Sequence, residues 1–134
     1  MEDFIFEYKM EVRDYECDFQ GVVNNSVYQN YLEHTRHEYI KTIGLDAVEL
    51  SNNGINLMVK RVEIDYQYPL RSGDKFISVL KTKRISPLRF GFVQHIYRLP
   101  DKKLIIKALI IGTSVNERGR PELPEELIKV WGFE

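Results

Sequence analysis

The sequence predicts an α+β domain in which an antiparallel sheet of about five strands packs against one long helix. Three observations support this: alternating apolar residues open the chain, one helical repeat of about four turns follows, and four or five extended segments come after it. The short connections SPL and PDK between late segments fit antiparallel hairpins. Because one helix covers only one face of such a sheet, we expect a second copy of the chain to cover the other face.

Length and composition are those of an ordinary globular protein, and we expect one domain over residues 1–134. The formal net charge of −1 gives no reason to expect nucleic acid as a partner. No stretch is apolar over the roughly 18 residues that a membrane span needs, and the first thirty residues lack the pattern of a secretion signal. The single cysteine excludes an internal disulfide. We therefore expect a cytoplasmic protein without a membrane span.

The first strand and the long helix are the clearest elements. Apolar residues alternate through residues 3–13, which predicts a strand. From Val27 to Ile43 apolar residues recur at the spacing of a helix. One of the polar residues 24–26 can cap its start, and Gly44 suits the left-handed position after its end.

The second half of the chain is predicted to be mostly extended. Residues 50–54 resemble a turn, and the segment 55–70 changes its alternation near Lys60 and Arg61, which predicts a bulge. Further strands are predicted over residues 75–85, 89–99 and 103–116. The last of these is nearly continuously apolar, as in a strand covered on both faces. A short final helix is predicted with Pro124 as its first residue.

Three stretches in this order resemble one family: YECDFQGVVNNSVYQNYLEHTR from Tyr15, DYQYPLRSGD from Asp65 and GRPELPEEL from Gly119. They resemble segments of the hotdog-fold thioesterases, most closely the 4-hydroxybenzoyl-CoA thioesterase-like branch. The resemblance implies a hotdog domain, whose sheet wraps around the central helix, and hydrolysis of an acyl-CoA or acyl-ACP (acyl carrier protein) thioester. It implies no cofactor and no metal. It also implies a homodimer, with a homotetramer formed as a pair of dimers as the larger alternative.

The resemblance assigns the catalytic role to Asp18, as nucleophile or as general base toward water. It assigns to Asn25 a backbone N–H that points at the substrate carbonyl. This chemistry is consistent with the local sequence, since a thioester has a good leaving group and a helix start offers unpaired amides to an oxyanion. Gly21 allows a sharp turn between the acid and the helix.

Neighbouring groups are weaker candidates. Asp14 and Glu16 do not match the motif position, and we expect both to be solvated acids. Cys17 lies between two acids, which would raise the pKa of its thiol, so we expect a packed and unreactive side chain. His34 and His37 are spaced as a metal pair could be, but no third ligand is evident, and surface positions are the better interpretation.

The resemblance also implies residues that contact the substrate. The substrate-binding residues expected are Gly21, Val22, Tyr28, Glu33, Leu57, Met58 and Val59, of which the last three align with the segment that lines the acyl pocket in relatives. Two alternatives stay open for Glu33: assistance at a partner's site, or a helical pair with Arg36 or His37. A tyrosine at helical spacing, such as Tyr28, is also often a core residue. Phosphate contacts with CoA are expected from a basic hairpin that carries Lys83, Arg84 and Arg89.

Two other functions compete with hydrolysis. A hotdog dehydratase pairs its acid with a histidine, but Val22 and Asn25 stand where some relatives carry it. A non-catalytic domain that binds acyl thioesters is the alternative from another class. The acid, turn and helix start argue against it, because a binding domain has no need of Asp18.

Overall fold

The computed structural model describes residues 3–45 and 47–133. Its elements, in chain order, are β1 (Phe6–Glu11), a 3₁₀ turn (Asp14–Glu16), α1 (Asn25–Thr42), α2 (Ala47–Asn52), β2 (Asn56–Tyr66), β3 (Lys75–Ser86), β4 (Arg89–Leu99), β5 (Leu104–Val115) and α3 (Glu125–Trp131).

The five strands form one antiparallel sheet in the order β1-β3-β4-β5-β2. Strands β3, β4 and β5 are consecutive hairpins, as the short connections predict. The predicted bulge is confirmed, because the pairing of β2 with β5 shifts between Val59 and Arg61. Strands β1 and β2 are the two edges, and β2 is paired on one side only.

Helix α1 lies across one face of the sheet, and its apolar stripe is the one that the spacing predicts. The residues it buries are Tyr28, Tyr31, Leu32, Thr35, Tyr39 and Ile40. Two buried polar bonds fix it there: Thr35 Oγ1 donates to Ser78 Oγ at 2.8 Å, and Gln94 Nε2 donates to the Leu32 carbonyl at 3.1 Å. Since alternate residues of a strand point to opposite faces, Gln94 marks the helix-covered face of β4.

Two local predictions need correction. Residues 47–52 form α2, and only Asn53 and Gly54 remain of the turn expected over 50–54. A six-residue helix is too short to show a periodic apolar stripe, so sequence spacing does not reveal it. Pro124 is the N-cap of α3, not its first residue: its ψ of 148° is extended, while its carbonyl accepts bonds from Leu127 and Ile128.

The two ends of the sheet differ. At one, here called the loop end, the segments 12–24 and 67–74 meet: Val12 N donates to Asp74 O and Val23 N donates to Leu70 O. The other, the hairpin end, carries the turn between β3 and β4 at residues 86–89. Helix α1 begins at the loop end and runs toward the hairpin end. None of the described helices has the length and apolarity that crossing a membrane requires.

Candidate functional site

Asp18 lies at the loop end, in a tight turn that its own carboxylate helps to hold. Its Oδ1 accepts a bond from Gln20 N at 2.8 Å and a longer one from Val22 N at 3.4 Å. The side chain is half-buried, and no described residue donates a hydrogen bond to Oδ2. One oxygen therefore fixes the orientation of the carboxylate, and the second is available to a reacting group.

The backbone forms a tight turn at Gly21 and begins α1 at Asn25, as the sequence predicts. Gly21 has a φ of 82°, which an L-residue rarely adopts, and closes the turn by donating to Asp18 O at 2.9 Å. Asn24 is the N-cap of α1, and its side chain accepts from Ser26 N. Asn25 is the first helical residue, and within the described chain its N–H has no hydrogen-bond acceptor. The loop end thus combines a fixed carboxylate with an unpaired helix amide.

Two tyrosines support this helix start. Tyr28 is 2% exposed, and its hydroxyl accepts from Leu70 N at 3.0 Å, so it fixes α1 against the 67–74 segment as a core residue. Tyr66 at the end of β2 donates to the Asn25 carbonyl at 3.4 Å and packs edge-on against Tyr28. Direct contact of Tyr28 with substrate stays a prediction. Tyr66 was not among the residues predicted for the site, although it is the second residue of the DYQYPLRSGD motif.

A cavity of about 150 Å³ lies between α1 and the edge of the sheet formed by β5 and β2. Its lining residues are Glu33, Arg36, His37, Ile40, Leu57, Met58, Val59, Phe90, Phe92, Ile110 and Gly112. Four of the predicted substrate-binding residues, Glu33 and the three residues 57–59, are therefore brought together. Gly21, Val22 and Tyr28 are not part of this lining.

The absence of a side chain at Gly112 allows the Met58 carbonyl and the Phe90 ring to pack closely against β5 at the cavity wall. A Cβ built there would lie 2.8 Å from the Met58 carbonyl oxygen and 3.0 Å from the Phe90 ring. Since a backbone oxygen cannot move aside as a side-chain end can, no larger residue fits without displacing the wall.

Within one chain, the Asp18 carboxylate and the cavity lie far apart. Asn25 and Glu33 are eight residues apart on α1, which is about 12 Å of helix rise, and Arg36 is about 16 Å away. The predicted CoA contacts are farther still. Lys83, Arg84 and Arg89 lie at the hairpin end, and β3 between Lys75 and Arg84 spans about 30 Å.

One basic residue of this hairpin forms hydrogen bonds within the hairpin itself. Arg84 donates to the carbonyls of Ser86 and Pro87, at 3.3 and 3.0 Å, while Lys83 and Arg89 are exposed. Arg84 therefore closes the hairpin, and any role of these three residues in binding CoA stays a prediction.

The rival acids near Asp18 have structural partners. Asp14 is exposed and accepts a bond from Ser72 Oγ. Glu16, expected to be solvated, has a side chain only 11% exposed and accepts bonds from Tyr31 Oη at 2.7 Å and from Arg13 N at 2.8 Å. That expectation was wrong because Glu16 lies against α1 and accepts the Tyr31 hydroxyl, a contact between distant residues that alternation does not reveal.

The thiol and the imidazoles show no catalytic arrangement. Burial, and then the carboxylates of Asp14 and Asp18, raise the pKa of the Cys17 thiol, so it is a poor nucleophile. His34 and His37 are exposed, and His34 packs edge-on against Tyr8. Within the described residues, no three or more acidic, histidine or cysteine side chains gather as a metal site.

Sequence comparisons identify the family. The model of the thioesterase-like superfamily matches residues 12–130. Two Arabidopsis thaliana proteins, the chloroplastic acyl-acyl carrier protein thioesterases ATL3 and ATL2, are 38% and 39% identical to the chain over 86% of its length. The chain spans about 60% of the length of these two relatives.

Solved structures share the architecture. A 1,4-dihydroxy-2-naphthoyl-CoA thioesterase from Synechocystis superposes with a TM-score of 0.88 over 96% of both chains at 18% identity. A hypothetical protein from Aquifex aeolicus superposes with a TM-score of 0.87 at 26% identity, over 95% of this chain and 99% of the other. These likenesses confirm the predicted hotdog fold. Since the family model also covers nearly the whole of this five-stranded sheet and its helices, the chain belongs to the thioesterase-like superfamily.

Proposed function

We propose that the protein hydrolyses an acyl thioester, on CoA or on an acyl carrier protein, to a free acid and a thiol. The observation that carries this proposal is the half-buried Asp18 carboxylate, held by backbone amides through one oxygen at the same end as the unpaired Asn25 N–H. A thioester needs little more than this, because the thiolate leaves readily once a tetrahedral intermediate forms.

The reaction balances with water as the only co-substrate. As general base, Asp18 takes a proton from water while the water oxygen bonds to the carbonyl carbon. The carbonyl oxygen becomes an oxyanion that accepts a bond from Asn25 N–H at the positive end of α1. The C–S bond then breaks, and the thiolate leaves with a proton. As nucleophile, Asp18 instead forms a mixed anhydride, which water hydrolyses in a second step.

We place the complete site between two copies of the chain. Strand β2 has an unpaired edge 11 residues long, and its residues Val59, Val62 and Tyr66 are between 38% and 51% exposed. Such an apolar edge invites pairing with another strand. An isologous dimer pairs this strand with itself in antiparallel orientation, as two-fold symmetry allows.

That pairing would bring the acid of one copy close to the cavity of the other. In an antiparallel pair of β2 strands, the Tyr66 end of one copy lies beside residues 57–59 of the other. Because α1 begins near Tyr66, Asp18 and the helix start of one copy come to the cavity of the second. The basic hairpin of one copy is likewise brought toward the loop end of the other. A pair of such dimers would give the tetramer that the sequence analysis left open.

The carrier and the cellular location belong to this proposal as well. Both Arabidopsis relatives are named as acyl-acyl carrier protein thioesterases, which supports a carrier-protein substrate, whereas the basic hairpin supports CoA. The cytoplasmic location stays a prediction; those two relatives are named as chloroplastic.

The test is release of free thiol from acyl-CoA and acyl-ACP substrates that differ in chain length. We expect turnover by the wild type and at least a 100-fold loss in Asp18→Asn, because general-base catalysis typically contributes about 10²–10⁴-fold. Asparagine keeps the side-chain oxygen that accepts from Gln20 N, so the turn should survive. Turnover that Asp18→Asn leaves intact would refute the catalytic assignment. Tight binding of acyl thioesters without turnover by the wild type would favour the non-catalytic binding domain.

A further inference from the structure

Arg36 is a cation on the wall of a cavity whose lining is apolar apart from Arg36, Glu33 and His37. It projects from the side of α1 that faces β5 and β2, and its side chain is half-buried. The opposite wall consists of Phe90, Phe92 and Ile110. A charge in such surroundings is costly unless polar partners compensate it.

The chain supplies only part of that compensation. Arg36 Nη1 donates to Gln94 Oε1 at 3.1 Å, and this is the one hydrogen bond that a described residue accepts from the guanidinium. None of the described carboxylates forms an ion pair with it. Glu33 is the nearby acid that favours its charged form, yet burial has the larger effect and lowers the pKa of Arg36.

Gln94 is a fixed acceptor for the guanidinium. It is fully buried, and its amide nitrogen is committed to the Leu32 carbonyl. A guanidinium carries five N–H donors in a planar fork. Donors therefore remain on Arg36 at a wall that an acyl group would contact.

We propose that Arg36 is a specificity-determining residue, which selects acyl groups carrying a hydrogen-bond-accepting oxygen, best a carboxylate, at the end remote from the thioester. This inference rests on the proposed function and names its substrate class. A carboxylate suits the site because it matches the guanidinium fork in shape and charge. The apolar walls contact the carbon chain that joins this oxygen to the thioester.

The size of the cavity limits that carbon chain. A volume of about 150 Å³ accommodates a molecule the size of benzene, and the cavity beside Arg36 in one chain has a similar volume. We therefore expect a short acyl group of roughly six carbons to fill it, with its distal oxygen at Arg36.

The experiment compares acyl-CoA thioesters in isosteric pairs. Succinyl-, glutaryl- and adipoyl-CoA end in a carboxylate, and in the partner of each the carboxylate is replaced by an isopropyl group of similar size. Charge-assisted bonds in a desolvated site support a preference of about 10- to 100-fold. We expect the wild type to show that preference in kcat/KM for at least one of the three pairs.

Two substitutions separate recognition from a structural role. Arg36→Met keeps the length of the side chain but removes the donors, so it should abolish the preference while the apolar partner is still hydrolysed. Gln94→Met is the matched control, because it breaks the Arg36–Gln94 bond yet keeps the guanidinium, and it should retain the preference. If Arg36 served only to tie α1 to β4, both variants would change all substrates equally.

The outcomes distinguish this inference from the function on which it rests. A wild type that hydrolyses the apolar partners as well as or better than all three carboxylates overturns the role of Arg36 and leaves thioester hydrolysis standing. A wild type that hydrolyses no thioester overturns the proposed function itself. Should Arg36→Met fail to fold, Arg36→Lys retains charge but loses the fork, and an unchanged preference in that variant counts against recognition by the guanidinium.

Discussion

At the scale of single residues, Glu16 and Asp18 show how neighbouring carboxylates acquire different roles. Glu16 is nearly enclosed and receives the Tyr31 hydroxyl, which ties the segment before the turn to α1. Asp18, two residues later, is held only by amides of its own turn and keeps one oxygen unbonded within the described chain. The first arrangement stabilises the fold, and the second suits an acid that acts on a substrate.

Tyr31 should make stability depend on pH in the alkaline range. Burial, and then the bond to Glu16, raise the pKa of its hydroxyl above the ordinary value near 10. The folded state therefore keeps a proton that the unfolded state loses, so the contribution of Tyr31 to the free energy of unfolding should be fully present below about pH 10 and fall as the pH rises above it. One such group lowers it by up to about 1.4 kcal/mol per pH unit. Burial also raises the pKa values of Tyr28 and Tyr39, which add to the slope.

Denaturant unfolding of wild type and Tyr31→Phe from pH 7 to pH 11 checks this. Phenylalanine leaves Glu16 with one donor fewer, so we expect a loss of about 1–3 kcal/mol at neutral pH and a shallower alkaline slope. Tyr15→Phe is the control, because Tyr15 is 79% exposed and should cost far less. An identical alkaline slope in wild type and Tyr31→Phe would contradict the assignment.

At the scale of elements, the exposed edge of β2 is predicted to be the dimer contact. Val62→Lys introduces a charge between Val59 and Tyr66 on that edge. An apolar partner strand would have to bury this charge, which is costly. We expect this variant to sediment as a monomer at concentrations at which the wild type is a dimer. Val130→Lys on α3 is the control, since Val130 is similarly exposed on a different element. Dimers that persist in Val62→Lys would exclude this edge as the interface.

The two close-packed glycines of the sheet offer a matched pair for the cavity wall. In β5, a Cβ at Gly112 would press on the Met58 carbonyl oxygen, whereas in β4 a Cβ at Gly91 would meet the flexible end of Ile85 at 2.9 Å. Gly112→Ala should therefore cost about 1–3 kcal/mol of stability and reduce acyl-thioester turnover. Gly91→Ala should be milder in both respects. Thermal unfolding and thiol release measure the two effects, and equal losses would argue against the rigid wall.

At the scale of the whole molecule, local patterns predict the elements better than the site. The spacing of Tyr28, Leu32, Thr35 and Tyr39 fixes the inward side of α1, and the change of alternation at Lys60 locates the bulge, because both depend only on neighbouring residues. The pocket role of Arg36 depends on what packs opposite it, so the sequence analysis treated it only as a partner for Glu33. One signal was available: Arg36 lies four residues from both Leu32 and Ile40, at the border of the apolar stripe.

The distance between acid and cavity is likewise a property of the assembled fold. No sequence pattern states that Asp18 lies at the loop end while residues 57–59 line a cavity some 12 to 16 Å farther along α1. This separation is the reason for placing each site between two copies. We therefore propose that one copy provides Asp18 and the other provides the cavity.

Complementation between two inactive variants tests whether each site combines parts of two copies. Ile40→Trp should fill the cavity, since Ile40 lies in its lining, and Asp18→Asn removes the acid. When the two variants are coexpressed in equal amounts, random pairing makes half of the dimers mixed, and each mixed dimer has one site with both parts intact. We expect thiol release at about a quarter of the wild-type rate per chain. Activity no higher than that of either variant alone would contradict it, because it would mean that acid and cavity must belong to the same chain.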